Sequence, residues 1–265
     1  MRLIVTGYNG FIGQEIAKSQ NFLRKHEVIP CKDINKLPII LNQDPNSILL
    51  HLAGLFSGEK KALWSANVEL VSKVMDQLKE ASSKARLIYL STGAVYGQKI
   101  EDPPALETDK TNPTNFYGLT KLKAEQIILN SMSNKNKKFH ILRLPNVYGK
   151  NQKKGVIYNM KNQIQNSSIV QISGDGNQQR DFLHVSDLLT ALDLVLSYEG
   201  ESEIFNISSD LCLSINDLAK ILINHKSVNF EYIEDTNGLE KLVLNYNKAK
   251  KILGFKPKVN DLNLE

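Results

Sequence analysis

Two side chains four residues apart, Tyr117 and Lys121, have the chemistry of an acid–base pair. At the start of a predicted helix, this spacing places both side chains on one face. A free tyrosine has a pKa of about 10, and a nearby ammonium favours the phenolate and lowers that pKa. The pair therefore makes a workable proton donor and acceptor. Taken alone, the spacing occurs by chance in many helices and favours a surface contact between the two side chains.

A hydroxyl that could serve the same substrate oxygen lies upstream, in the segment STGAVYG at 91–97. This segment follows a predicted strand at 86–91, and Thr92 stands at its carboxyl end. Active groups of open α/β sheets collect at that edge. We expect Thr92 to hydrogen-bond the oxygen that Tyr117 protonates.

A glycine-rich turn near the start of the chain has the layout of a phosphate cradle. The apolar run 2–6 precedes glycines at positions 7, 10 and 13, and helical character follows at 14–20. Glycines let the backbone approach a pyrophosphate, and a helix N-terminus offers free N–H groups and the positive end of its dipole. The spacing is G-x-x-G-x-x-G rather than G-x-G-x-x-G, so an ordinary turn between strand and helix is the alternative.

Strands and helices alternate along the first two thirds of the chain. The pattern predicts strands at 2–6, 27–31, 47–52, 86–91, 139–144 and 204–207, and helices at 66–82, 117–132 and 187–196. Such alternation implies a parallel, doubly wound sheet with right-handed crossovers. Pro30 suits the end or edge of a sheet. The gap 32–47 has room for one short helix.

The amino-acid composition changes after Gly149, where residues 150–177 are rich in Asn, Gln, Lys and Gly. We predict that 150–177 and 208–265 form most of a smaller C-terminal lobe. Residues 178–207 are expected to rejoin the sheet. A ligand would bind in the cleft between the two parts.

Composition places the 265-residue chain among ordinary globular proteins, with 42% hydrophobic and 23% charged residues. No apolar run approaches the about 20 residues of a membrane span, and no signal region is evident, so we expect a cytoplasmic protein. Cys31 and Cys212 lie far apart, and we expect reduced, buried or semi-buried thiols and no metal site. The lysines behind the net charge of +5 are scattered, apart from a cluster at 135, 137 and 138 expected in a solvated loop. This charge suits a small doubly charged anion better than nucleic acid.

Taken together, these pieces resemble the extended short-chain dehydrogenase/reductases, specifically the nucleotide-sugar epimerase/dehydratase/reductase family. The matching segments run in order and cover nearly the whole chain. They are TGYNGFIG (6–13), HLAG (51–54), Asn67 within SANVE, STGAVYG (91–97), YGLTK (117–121), RLPNVYG (143–149), SGDGNQQRDFLHVSD (173–187), FNISS (205–209) and KKILGFKP (250–257).

The resemblance implies a Rossmann fold with an NAD(P)-binding domain at 1–149 plus about 178–207, and a substrate lobe at about 150–177 plus 208–265. Thr92, Tyr117 and Lys121 would form the catalytic trio, with Lys121 also holding the nicotinamide ribose. The remaining cofactor-binding residues would be Gly7, Asn9, Gly10, Phe11, Ile12, Gly13, Lys32, Asp33, Leu52, Ala53 and Asn67.

The resemblance also assigns Asn146 and Arg180 to the diphosphate of a nucleotide sugar, because a guanidinium offers phosphate a planar fork of donors. An internal ion pair between Arg180 and Asp181 is the alternative for this arginine. His184 is expected to be structural. Asp187 is expected to cap the helix that follows it.

Departures from the family pattern reduce the set of candidate reactions. Dehydratases of this family carry Asp-Glu directly after the catalytic threonine, whereas Gly93 and Ala94 stand there in this chain. Elimination of water from the sugar is therefore not expected. The short gap 32–47 resembles the sugar 4-keto reductases, since the epimerases usually have a longer insertion there.

The end of the second predicted strand bears on the cofactor. NAD-binding members usually place an acid there to bind the ribose hydroxyls. Lys32 takes that position and would accept a 2′-phosphate, which slightly favours NADP. A shift of one residue would give the position to Asp33 and favour NAD, and both residues could simply be exposed.

The leading hypothesis is therefore a reductase of a 4-keto nucleotide sugar in surface-polysaccharide sugar biosynthesis, with a homodimer possible. A nucleotide-sugar 4-epimerase of the UDP-glucose or UDP-GlcNAc type uses the same trio. A non-catalytic dinucleotide-binding regulator is a third hypothesis, because fold does not fix function. Such relatives generally lose the Tyr/Lys pair, which this chain keeps.

Overall fold

A computed structural model describes residues 1–81, 85–98, 104–132, 137–223, 227–234 and 241–262. The strands are β1 Arg2–Thr6, β2 Glu27–Cys31, β3 Ile48–His51, β4 Arg86–Thr92, β5 Phe139–Leu144, β6 Asn146–Tyr148, β7 Ile169–Ser173, β8 Gln179–His184, β9 Glu203–Asn206, β10 Cys212–Ser214, β11 Asn229–Ile233 and β12 Lys241–Leu242. The helices are α1 Phe11–Lys18, α2 Gln20–Lys25, α3 Leu37–Leu41, α4 Lys60–Trp64, α5 Leu70–Glu80, α6 Phe116–Met132, α7 Val156–Asn166, α8 Val185–Ser197, α9 Ile215–Ile223 and α10 Asn247–Leu253.

A six-stranded sheet in the order β2-β1-β3-β4-β5-β9 forms the centre, and all of its strands are parallel. This confirms the predicted α/β, Rossmann-like fold. Pro30 lies in β2, the edge strand, where its missing N–H costs no ladder bond inside the sheet. The short helix predicted in the 32–47 gap is present as a 3₁₀ turn at Ile34–Lys36 that continues into α3.

Helices cover both faces of this sheet, which is why its strands are apolar throughout. On one face, α1 and α8 pack on alternate strand residues such as Val5, Leu50 and Leu142. On the other face, α3, α5 and α6 pack on the intervening residues, among them Ile4 and Leu87. The sheet is therefore buried on both faces, and its carboxyl edge can hold a site.

Two smaller sheets lie beyond β5. β8 pairs with β6, β10 and β12, and β7 pairs with β11. The predicted return of 178–207 to the central sheet therefore holds for β9 but is wrong for β8, because β9 occupies the position beside β5. α10 and Phe255, which follow the smaller sheets in sequence, pack into the α8 side of the central core. The division into two domains stays a prediction.

Several local predictions are corrected by the packing. The predicted helix 66–82 begins as a π-helical turn at Ser65–Glu69 and continues as α5, which ends at Glu80; position 82 lies outside the described residues. Cys31 is buried, but Cys212 is exposed, and both are free thiols. Lys137 and Lys138 donate to main-chain oxygens rather than lying in a solvated loop, while position 135 is outside the described residues. Within the described helices, none is long and apolar enough to cross a membrane.

Candidate active site

A cavity of about 550 Å³ opens at the carboxyl ends of β1, β3, β4 and β5. Most of the predicted site residues line it: Gly7, Asn9, Gly10, Phe11, Ile12, Gly13, Leu52, Asn67, Thr92, Tyr117, Lys121 and Asn146. Lys32, Asp33, Ala53 and Arg180 are not among its lining residues. The structure therefore brings together residues from six separate sequence motifs, and their individual roles remain predictions.

Two glycines of the turn, Gly7 and Gly13, leave no space for a side chain. Gly7 has φ of +71°, and a Cβ there would lie 2.5 Å from the Ala53 amide nitrogen. A Cβ on Gly13 would lie 2.2 Å from the Tyr8 carbonyl oxygen. Ala53 thus supports the turn from behind, which explains its position outside the cavity lining.

The open end of α1 fits the pyrophosphate of a dinucleotide. Gly10 is the N-cap of this helix, and no side chain caps it. A Cβ on Gly10 would meet only the Gly7 carbonyl oxygen, at 3.2 Å, so the cavity side of this residue is open. The N–H groups of the first turn and the helix dipole suit a negatively charged group. Gly7, Gly10 and Gly13 with the first turn of α1 would hold the phosphates of NAD(P).

The predicted trio meets at the other end of the cavity. A hydrogen bond joins the hydroxyls of Tyr117 and Thr92. Thr92 ends β4, and its Oγ1 also accepts from the Ala94 amide at 3.2 Å, which fixes the side chain. Lys121 lies one turn after Tyr117 on α6 and is buried. The spacing of four residues therefore places Tyr117 and Lys121 on one face of α6, as expected.

The expected direction of the Tyr117 pKa is wrong. Burial of the hydroxyl raises its pKa to about 12, and the hydrogen bond with Thr92 offsets only part of this rise. The Lys121 ammonium donates instead to the Leu90 carbonyl oxygen at 2.6 Å and lies 4.1 Å above the Tyr89 ring. Tyr117 is therefore a neutral phenol at physiological pH.

Lys121 has the opposite shift. Burial lowers its pKa to about 7, against the charge of Glu125, which raises it. A lysine with this pKa exchanges its proton near neutral pH, which suits a site that moves protons.

The sequence interpretation missed Glu125, which lies one turn after Lys121 and is fully buried. Its carboxylate accepts from Arg143 Nη2 at 2.7 Å and Nε at 3.2 Å, and also from the Ser91 hydroxyl. The signal was present as an acid inside an apolar helix, four residues after the lysine. Its partner could not be found without the packing of β5 against α6.

Asn67 lines the cavity, but its amide serves the protein. Oδ1 accepts from the Leu55 amide at 2.8 Å, and Nδ2 donates to the Leu55 carbonyl at 2.7 Å and to Thr120 Oγ1 at 3.0 Å. These bonds tie the loop after β3 to the catalytic helix. The π-helical turn that carries Asn67 is a feature frequent at functional sites.

The two residues after β2 are exposed, as the third reading of this pair allowed. β2 ends at Cys31, so Lys32 directly follows the strand. Asp33 Oδ1 accepts from the Asn35 amide at 3.0 Å and caps the 3₁₀ turn. Which of these two residues would contact the ribose of a cofactor remains a prediction.

Asn146 and Arg180 sit on neighbouring strands of the smaller sheet. Asn146 Nδ2 donates to the Asp181 carbonyl at 3.2 Å, and Arg180 Nη1 donates to the Gln179 carbonyl at 2.8 Å. Asp181 is buried and accepts at Oδ2 from Ser208 and from the Leu244 amide. Its Oδ1 has no hydrogen-bond partner among the described residues, so the alternative of an Arg180–Asp181 ion pair is not observed.

His184 is structural, as predicted, but Asp187 is not the helix cap. His184 is the N-cap of α8, where its Nδ1 accepts from the Ser186 amide. Asp187 lies buried in the first turn and accepts from the amides of Lys258 at 3.0 Å and Val259 at 2.9 Å. It therefore anchors the C-terminal segment to α8.

The position after Thr92 is closed by apolar side chains. A Cβ on Gly93 would lie 2.8 Å from Leu244 Cδ2 and 3.2 Å from Leu242 Cδ1. These leucines come from the C-terminal segment, which Asp181 holds through the Leu244 amide at 2.7 Å. A side chain at position 93 would require the Leu244 side chain to move.

One further wall of the cavity was not predicted. It comes from the loops after β3 and β6, where Leu55, Phe56, Lys153 and Lys154 line the space. Lys154 Nζ lies 5.9 Å from the centre of the Phe56 ring. No group of three or more His, Cys, Asp or Glu side chains suited to a metal ion occurs among the described residues.

Comparison with known proteins agrees with this geometry. A model of the NAD dependent epimerase/dehydratase family matches residues 31–208, which is more than half of the chain. A dTDP-4-dehydro-6-deoxyglucose reductase from Escherichia coli is 33% identical over 183 residues, covering 66% of this chain and 57% of that enzyme. A putative UDP-glucose 4-epimerase from Methanocaldococcus jannaschii is 32% identical over 183 residues, covering 66% of this chain and 59% of that protein.

The chain thus aligns with less than two thirds of the length of these two relatives. Among solved structures, the UDP-glucose 4-epimerase of Thermotoga maritima with UDP-glucose superposes with a TM-score of 0.85. The match has 25% identity and covers 98% of this chain and 94% of that one. The chain belongs to the NAD-dependent epimerase/dehydratase family.

Proposed function

We propose that this protein is an NAD(P)-dependent oxidoreductase that acts at C4 of a nucleotide-diphosphate sugar and reduces a 4-keto group. The observation that carries the proposal is the hydrogen bond between the hydroxyls of Tyr117 and Thr92 at the end of the cavity. Reduction of a carbonyl needs a proton donor at the oxygen. The similarity to the dTDP-4-dehydro-6-deoxyglucose reductase of Escherichia coli also supports reduction of a 4-keto group.

The bound nicotinamide would supply hydride to the carbonyl carbon. Tyr117 donates its proton to the carbonyl oxygen, and a pKa of about 12 keeps that proton available at neutral pH. Thr92 orients the same oxygen, since its Oγ1 is fixed by the Ala94 amide. The charge of Lys121 favours the phenolate that Tyr117 becomes.

The surroundings of Thr92 support reduction over dehydration. Gly93 and Ala94 occupy the two positions where dehydratases of the family carry their acids, and Leu242 and Leu244 fill the space beside Gly93. Among the described residues, the cavity lining contains Tyr117 and Lys121 but no Asp or Glu that could act as a second acid. One proton donor at one oxygen is sufficient for a ketone reduction.

A nucleotide-sugar 4-epimerase is the second candidate. It uses the same trio, and the epimerase of Thermotoga maritima matches this chain over 98% of its length. An epimerase keeps its cofactor bound and returns the hydride to the same carbon. The two functions therefore differ in whether NAD(P)H is consumed, and the cofactor choice, slightly in favour of NADP, rests on Lys32 following β2.

The test incubates the protein with a panel of 4-keto and ordinary nucleotide sugars and follows the absorbance of NADPH and NADH. A reductase consumes reduced cofactor in proportion to the 4-keto sugar. An epimerase converts UDP-glucose to UDP-galactose with no net consumption. Activity on neither class would contradict both proposals. Analytical ultracentrifugation would test the predicted homodimer.

A further inference from the structure

Three side chains at consecutive turns of α6 contact three consecutive residues of β4. Tyr117 bonds to Thr92, and Lys121 Nζ donates to the Leu90 carbonyl at 2.6 Å. Glu125 accepts from the hydroxyl of the intervening residue, Ser91. The catalytic helix is thus attached to the catalytic strand by three bonds, and the third comes from a residue outside the trio.

The Glu125 carboxylate is fixed in place. Its side chain has no exposed surface, and Arg143, which is 4% exposed, binds both of its oxygens. The two parallel bonds of an arginine fork give this pair a defined orientation. Hydrogen bonds with Glu125 raise the pKa of Arg143, so this guanidinium is permanently charged.

Arg143 is itself held from two other elements. Its Nη1 donates to the Tyr96 hydroxyl at 2.9 Å, and this hydroxyl donates to Asn206 Oδ1 at 2.7 Å. Tyr96 follows β4, and Asn206 ends β9. A carboxylate held by this network has little freedom to move when Lys121 or Ser91 changes.

The groups that face Lys121 come from three elements. Tyr89 of β4 lies beneath its ammonium, and Tyr117 and Glu125 flank it on α6. His51 of β3 stacks on Tyr89 and is neutral, because burial and the Lys121 charge lower its pKa to about 3. Glu125 is therefore the negative charge that opposes the desolvation of Lys121 among the described residues around it.

We propose that Glu125 is a positioning residue: its buried carboxylate favours the charged form of Lys121 inside the cavity and fixes Ser91, the residue before Thr92. The effect on turnover rests on the proposed function. The effect on Lys121 does not, because it concerns a charge within the protein alone.

A purely structural ion pair is the competing explanation. Replacing a buried pair by apolar side chains is often neutral or stabilising, whereas removing one partner is strongly destabilising. Loss of stability in Glu125→Gln would therefore not separate the two explanations. The ionisation of Lys121 does, because a structural pair has no reason to set it.

The direct experiment is a ¹³C NMR titration of the lysine ε-carbons, with the Lys121 signal assigned by its loss in Lys121→Met. In Glu125→Gln, the midpoint of the Lys121 titration should fall by about one pH unit, since loss of a nearby opposite charge shifts a pKa by this order. Glu203→Gln is the matched control, because Glu203 pairs with Lys248 at 2.6 Å outside the cavity. It should leave the Lys121 midpoint unchanged. An unmoved midpoint in folded Glu125→Gln overturns the proposal.

The double variant Glu125→Met/Arg143→Met removes both charges and keeps the experiment decisive if the single variant does not fold. Its Lys121 midpoint should fall in the same direction by a smaller amount, and no fall would contradict the proposal. With a sugar substrate, the alkaline limb of kcat/KM should move down with the NMR midpoint, and Glu125→Asp should recover part of the shift. If no sugar is turned over, the proposed function fails while the NMR titration still decides the role of Glu125.

Discussion

The Lys121 ammonium donates to the main-chain oxygen of Leu90 at 2.6 Å, so the catalytic helix is bonded directly to the strand that ends in Thr92. This bond draws the charge against β4. Burial raises the pKa of Tyr117, so this residue is protonated at neutral pH. The predictions below follow from this arrangement and from the turns that surround it.

Tyr117→Phe should lower turnover by about 10²–10⁴-fold, the usual contribution of a positioned proton donor. Binding of NADPH or NADH should be nearly unchanged, because the proposed task of the phenol is proton transfer. Steady-state kinetics with a 4-keto nucleotide sugar and a fluorescence titration of cofactor would measure both. Tyr158→Phe, at an exposed tyrosine of α7, is the control. Wild-type turnover in Tyr117→Phe would show that the trio is assigned wrongly.

Gly7→Ala and Gly10→Ala should separate folding from cofactor binding. Gly7 has φ of +71° and no space for a Cβ against Ala53, so alanine should lower the free energy of unfolding by more than about 2 kcal/mol. Gly10 has φ of −74°, and alanine there should cost less than about 1 kcal/mol. It should nevertheless weaken dinucleotide binding, since it adds a methyl group at the N-cap of α1, in the lining of the cavity. Urea denaturation and cofactor titration of both variants would test this prediction, and equal losses of stability in the two variants would contradict it.

Lys32→Ala should weaken NADP binding by about tenfold and leave NAD binding unchanged, as one charged contact is worth about 1–2 kcal/mol. The effect should shrink with added salt, because exposed charges are screened over about 8–10 Å near physiological ionic strength. Lys36→Ala, at another exposed lysine of the same loop, is the matched control. Calorimetric titration with both cofactors would measure it. A loss of NAD binding in Asp33→Ala, with no effect in Lys32→Ala, would instead favour NAD and the epimerase.

Arg180→Ala should raise KM for the nucleotide sugar by roughly ten- to a hundredfold and change cofactor affinity little, since a hydrogen bond to a charged group is worth about 1.5–3 kcal/mol. Kinetics at saturating cofactor would show it. Arg24→Ala, at an exposed position of α2, controls for loss of surface charge. Loss of folding with unchanged substrate preference would assign Arg180 to the structure of the smaller sheet.

Asp181→Asn should change the pH dependence of stability. Burial raises the pKa of Asp181 to about 6 from 3.8, so the folded state binds more protons than the unfolded state between these values. Its free energy of unfolding therefore falls as pH rises through about 4 to 6, by about 3 kcal/mol in total. Asp181→Asn should lose this part of the slope, while Asp76→Asn, on the exposed side of α5, should keep it. Urea denaturation across this range would measure it, and identical slopes would refute the assignment.

The sequence alone predicted the strands of the central sheet and the three residues, Thr92, Tyr117 and Lys121, that the structure brings together at the cavity. Runs such as 86–91 and 139–144 are apolar because strands buried on both faces must be, so their positions can be predicted locally. The spacing of Tyr117 and Lys121, and that of the three glycines, follow from the geometry of one helix and one turn. These features depend on neighbours in the chain.

The tertiary structure decided the pKa values of the site residues and the hydrogen-bond partners of the buried acids. The pKa of Tyr117 depends on how far the fold buries its hydroxyl. The ion pair between Glu125 and Arg143 joins α6 to β5 through two residues that are eighteen positions apart in the chain. Asp187 anchors a segment about seventy residues later instead of capping its own helix. Desolvation and long-range hydrogen bonds arise only when strands and helices pack, and no local pattern in the sequence encodes them.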